Sequence, residues 1–106
     1  MTKVRIEPGV CGFTAVVTAH SDNGEDVTVT VDSGCKGVQN LMAVLGDSFD
    51  PYELCFAKPG KNPLYEAAAE HLPSHGACPV IAGITKCVEA ECRLALKKNA
   101  SITFID

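Results

Sequence analysis

The sequence has no tryptophan, and only two tyrosines and four phenylalanines among its 106 residues. Packing therefore falls to Val, Ile, Leu and Ala, which are plentiful enough for one modest core in a chain this short. A basic excess is also missing. The 9 Lys and Arg residues are outnumbered by 13 Asp and Glu, for a net charge of −4. Without a basic footprint to neutralise phosphates, nucleic acid is not an expected partner. No apolar run approaches the length of a membrane span, and Met1–Gly9 alternates charged with apolar residues, unlike a secretion signal. The expected location is the cytoplasm, with no membrane partner. Thiols stay reduced there, so disulfides do not account for the six cysteines. The Cys-x2-Cys spacing typical of zinc sites is absent as well.

What is present is a run of strand patterns followed by helix patterns. Lys3–Glu7 alternates with period two and is closed by Pro8-Gly9. Phe13, Ala15, Val17 and Ala19 alternate with Thr14, Val16, Thr18 and His20, and Val27, Val29 and Val31 alternate with Thr28 and Thr30. A three-residue Asp22-Asn23-Gly24 loop pairs Ala19 with Val27, Val17 with Val29 and Ala15 with Val31, placing the aliphatics on one face. Helical spacing then begins with Val38, Leu41, Met42 and Leu45, and Gly46 ends it. Asp50-Pro51 and Asn62-Pro63 each read as a cap followed by proline at the first helical position. The longest helix starts at Cys78-Pro79, with Ile81, Ile84, Val88, Cys92 and Ala95 inward, and runs toward Lys97-Lys98 and Asn99. Ser101–Ile105 reads as a closing strand. The expected fold is a single α+β domain over residues 1–106. A small, mainly antiparallel sheet, with an N-terminal hairpin and a C-terminal strand, packs against three to four helices.

Three cysteines stand apart from the packing pattern. Cys78 reads as an N-cap, and Cys35 falls in the first turn of the first long helix. Helix N-termini favour negative charge, and so the thiolate, the form that ligates metal or attacks. Cys11 lies in a glycine-flanked loop at the start of the second strand. The hairpin puts that loop beside the segment leading into Cys35. His75, three residues before Cys78, is a candidate ligand or proton carrier. Cys92 reads as core, Cys87 as the partly buried edge of the same stripe, and Cys55 as either core or a spare ligand.

The arrangement Cys11-Gly12, Gly34-Cys35-Lys36-Gly37 and Cys78, with separations of 24 and 43 residues, resembles iron–sulfur cluster scaffold proteins of the IscU/NifU amino-terminal type. The resemblance implies an IscU-like α+β fold and cluster-ligand roles for Cys11, Cys35 and Cys78. This chain departs from the scaffold pattern at Phe13-Thr14, where that family has an Asp, and at Ala77, where it has a His. Gly-Cys-x-Gly followed by Ala77-Cys78-Pro79 is also similar to the small TSCPD-type domains, although only Cys78-Pro79 of their motif is kept.

The leading expectation is a non-enzymatic module that binds an iron–sulfur cluster or zinc, with a protein partner for cluster or sulfur exchange. Three thiols leave one position of the usual four for His75, Cys55, a partner or an exogenous ligand. The alternatives are a thiol enzyme using Cys78 or Cys35 with His75 as base, and an interaction domain whose cysteines only pack.

Overall fold

A computed structural model of the chain describes residues 1–73 and 75–106; Ser74 lies outside the described residues. It is an α+β fold. Strands β1 (Thr2–Ile6), β2 (Ala15–His20), β3 (Val27–Ser33) and β4 (Ser48–Phe49) form one antiparallel sheet in sequential order. Helices α1 (Lys36–Leu45) and α4 (Val80–Glu91) cover one face of it, and α2 (Pro51–Cys55) and α3 (Pro63–His71) pack against those two helices.

The period-two pattern of the strands decides which face is covered. Ile6, Ala15, Val17, Ala19, Val27 and Val29 are buried, while Lys3, Arg5, Thr28, Thr30 and Asp32 on the opposite face are exposed. An antiparallel sheet tolerates one solvated face in this way. Packed beneath it, α1 contributes Val38 and Leu41, and α4 contributes Val80, Ile81, Ile84, Cys87 and Val88. Gly83 lets α4 approach β1: a Cβ there would overlap the Ile6 side chain. The two proline-led helices start as their caps predict. The Asp50 side chain accepts the Tyr52 N–H at 2.9 Å, and the Asn62 side chain accepts the Tyr65 N–H at 2.9 Å. Asn62 also donates to the Leu54 carbonyl at 3.1 Å and to the Thr85 hydroxyl at 3.3 Å, tying α2, α3 and α4 together.

Four expectations need correction. First, the hairpin pairs Ala19 with Val29, Val17 with Val31 and Ala15 with Ser33, a shift of two residues that keeps every side chain on its face. Side chains hold the wider loop. The Ser21 hydroxyl donates to the Asp26 carbonyl at 2.6 Å and accepts the Gly24 N–H at 2.9 Å, while Asn23 accepts the Glu25 and Asp26 amides. Second, α4 stops at Glu91, well short of Asn99. Arg93 takes a left-handed backbone (φ 59°). Leu94 N–H then bonds the Glu89 carbonyl at 2.8 Å and Arg93 N–H bonds the Ala90 carbonyl at 3.3 Å, the two closures of a Schellman stop. Third, the chain beyond that stop forms no closing strand: Ser101–Ile105 is exposed and pairs with no strand among the described residues. With the helix ended early, the tail leaves the fold before it reaches the sheet edge. Fourth, Cys87 is the fully buried cysteine of α4 and Cys92 only half-buried, because Cys92 sits at the helix end, past the sheet.

That end of α4 is anchored by Glu91. Its carboxylate, 8 % exposed, accepts the Thr2 hydroxyl at 2.7 Å and the Ser21 N–H at 3.0 Å, and lies 3.3 Å from the amino group of Met1. Burial works against the charge, but the bonds from Thr2, Ser21 and the amino group outweigh it and hold the carboxyl below its ordinary range.

Candidate functional site

The thiol-bearing segments gather where the β1–β2 loop, the start of α1 and the α3–α4 loop meet. Cys11 is exposed in a turn between Gly9 and Gly12, closed by the Gly12 N–H on the Gly9 carbonyl at 3.0 Å. Both glycines have positive φ, 93° and 73°, a backbone that glycine adopts at little steric cost. Phe13, two residues on, lays its ring against Gly34, where a Cβ would stand 3.3 Å from the ring. The Cys11 loop is thereby seated on the segment entering α1.

Cys35 is the N-cap of α1, in extended backbone, and its side chain makes no capping bond. Its amide donates to the Ser33 hydroxyl at 3.1 Å, and its carbonyl accepts the Gln39 N–H at 3.0 Å. The thiol is half-buried. Gly37 admits the end of α3 to this helix start: a Cβ there would press on Leu72 at 3.0 Å and Pro73 at 3.2 Å, and would lie 3.8 Å from the Cys35 sulfur. Leu72-Pro73 opens the loop that carries His75 and Cys78.

Cys78 does not cap α4. Pro79 is the N-cap, with helical dihedrals, and its carbonyl accepts the Gly83 N–H at 2.9 Å, so Cys78 stands one residue outside the helix. Cys35, expected in the first helical turn, holds a cap position instead. The Cys78 N–H bonds the His75 carbonyl at 3.1 Å, so the two residues are the ends of one tight turn, His75 exposed and Cys78 half-buried. Among the described residues, no group of three His, Cys, Asp or Glu side chains is arranged to hold a metal ion.

The other cysteines are held as neutral thiols. Burial, with Glu89 and Cys92 adding to it, pushes the Cys55 thiol up to about 11. Cys87 is likewise pushed up to about 11, chiefly by burial; its sulfur donates to the Thr2 carbonyl at 3.3 Å and lies 3.7 Å from the Val17 carbonyl. Burial also raises Cys92. Cys55, open between core and ligand from the sequence, packs against the core with its sulfur 4.0 Å from the Thr85 carbonyl. The neighbourhood features that sequence reasoning missed are the Phe13–Gly34 and Gly37–Pro73 approaches. The second glycine of Gly34-Cys35-Lys36-Gly37 was the available signal for the latter.

No helix among the described residues is long and apolar enough to cross a membrane. Comparison with curated proteins and with solved structures gave no match. Residues 2–104 match a family of unknown function (DUF6951), and the chain belongs to that family.

Proposed function

Membership of that family assigns no activity, and we propose that the chain is a cytoplasmic binding protein that holds an iron–sulfur cluster or a thiophilic metal ion. Cys11, Cys35 and Cys78 are the ligands, and His75, in the same turn as Cys78, is a candidate fourth. The observation that supports this reading is the mutual approach of the chain segments that lead to the three thiols. Phe13 rests on Gly34, Leu72-Pro73 on Gly37, and Cys78 shares a turn with His75. The donors fit such a cargo in kind, since thiolate sulfur suits iron–sulfur clusters and zinc alike. In arrangement they do not yet close around one. Cys11 itself is exposed in a turn flanked by two positive-φ glycines. Three thiols, one short of the usual four ligands, suit exchange with a protein partner better than a permanent structural ion. Cys55, Cys87 and Cys92 stay outside the ligand set as buried or half-buried packing thiols.

Anaerobic reconstitution with ferrous iron and sulfide, and separately with zinc, tests the reading. The wild type is expected to take up one of the two. Cys35→Ser and Cys78→Ser should lose most of the loading, Cys11→Ser should weaken it, and Cys92→Ser should leave it intact. Equal loss in Cys92→Ser and Cys78→Ser, with circular dichroism unchanged, would remove the three-thiol site.

A further inference from the structure

β4 covers only the first part of the outer edge of β3. It pairs Val27 with Phe49 and Thr28 with Ser48, and the Asp47 carbonyl takes the Val29 N–H at 2.7 Å. In an antiparallel strand alternate residues turn their backbone groups to the same side. The Val31 N–H and C=O therefore point outward, where no strand among the described residues meets them. Between this edge and α1 runs a shallow, open, mostly apolar groove lined by Val29, Val31, Met42 and Ala43, with Gln39 and Asp47 beside them. The other edge of the sheet is different. β1 carries exposed Lys3 and Arg5, the charged residues that natural edges use against strand addition. The β3 edge has no such guard between Val29 and Val31.

The same chain carries a strand without a sheet. Ser101–Ile105 has period-two character, yet Ile102 and Phe104 are 93 % and 92 % exposed. The family match runs through residue 104 and so includes this tail as far as Phe104.

We infer that Ser101–Ile105 of a second copy adds as a strand to the free edge of β3, Ile102 and Phe104 entering the groove beside α1. Charge favours one direction. Glu25, Asp26 and Asp47 flank the Val27 end of β3, whereas Asp32 and Lys36 offset each other at the Ser33 end, and the tail has Lys97-Lys98 before its strand and Asp106 after it. A tail running parallel to β3 brings its lysines to the acidic end; the reverse direction brings Asp106 there. Thr103 then joins Thr30 on the solvated face.

The donor is a second copy because the tail leaves its own fold on the other side of the sheet. Glu91 is bonded to Thr2 of β1 and Ser21 after β2, away from the outer edge of β3, and in its own chain the tail stays clear of that groove, with Ile102 and Phe104 exposed. Phe104 carries ~200 Å² of surface, and one tail with its groove buries several hundred Å². Only exchange of both tails approaches the ~1,200–2,000 Å² of a stable interface. The dimer is thus a reciprocal, two-fold exchange.

Light scattering on the eluting full-length protein reads the mass directly. The expected value is twice the 11.2 kDa of one chain. Phe104→Asp in the tail and Ala43→Glu on the groove wall, both at exposed positions, should each return the mass to one chain with circular dichroism unchanged. A monomeric wild type overturns the inference. So does a dimer that survives both substitutions, or a monomer that Phe104→Asp destabilises, which would place the tail in its own groove.

Discussion

Gly83→Ala sets two opposing terms against each other at one site. In an exposed helix interior this change stabilises by about 1 kcal/mol, because glycine pays more backbone entropy than alanine. Gly83, however, lies in the middle of α4 where the helix crosses β1, and the added methyl overlaps Cδ1 and Cγ1 of Ile6. Ile6 is only 7 % exposed and has little room to turn aside, so overpacking costs about 1–3 kcal/mol. The net expectation is a loss of about 1 kcal/mol where helix propensity alone gives a gain of the same size. Ile6→Ala isolates the contact. Alone it opens a cavity and costs about 2–5 kcal/mol. Combined with Gly83→Ala it removes both overlapped atoms, leaving the Ile6 Cβ at an ordinary 3.7 Å from the new methyl. The double variant should therefore be more stable than the sum of the singles by about 1–3 kcal/mol. Urea unfolding of the four proteins, read as midpoint shifts at constant m-value, gives all the numbers. If Gly83→Ala is more stable than wild type and the two changes are additive, the close packing of α4 on β1 is refuted.

Two further outcomes follow from single side chains. Asn62→Ala should cost about 2–3 kcal/mol in urea unfolding, since it removes the α3 cap and leaves the Leu54 carbonyl without the bond it takes from Asn62; a loss below half a unit on that scale would mean that water replaces it. Cys87 is fully buried and its thiol is pushed from 9.0 to about 11, so folding favours the neutral form. Its contribution is complete below pH 9, is lost as pH rises from 9 to 11, and amounts to about 2–3 kcal/mol. Cys87→Ala should flatten that part of the alkaline stability profile, measured against wild type at each pH.

Where the sequence was legible, the reason is short-range. The alternation in β1, β2 and β3 fixes the buried face, and Asp50-Pro51 and Asn62-Pro63 mark helix starts, because each signal lies within a few residues of what it controls. The hairpin loop was misread because Ser21 and Asn23 bridge it with side-chain bonds, a choice that strand alternation leaves open by any even shift. The end of α4 was misread because its left-handed residue is Arg93, which carries no turn signature and pays ~1–2 kcal/mol to sit there. Cys87 and Cys92 exchanged roles for a tertiary reason: the sheet stops above Glu91. At the candidate site the link between Cys11 and Cys35 followed from the hairpin, whereas the approach of the Cys78 loop depends on Leu72-Pro73 meeting Gly37 across α1.

The sequential order of the sheet bears on how the molecule assembles. Each strand pairs with the one before it, so β1 to β3 close only through short loops, and little chain entropy is spent until the helices dock. The contact between Thr2 and Glu91 is of another kind, spanning 89 residues, and it can form only when nearly the whole chain has been gathered. Loop-closure entropy grows slowly with length, but here it falls on one joint, where a single carboxylate holds the first strand and the last helix. α4 is therefore the clasp of the fold, and a late one: until it shuts, the sheet has one helix-bearing half and one bare half, and the turn of His75 and Cys78 that leads into it has no fixed place.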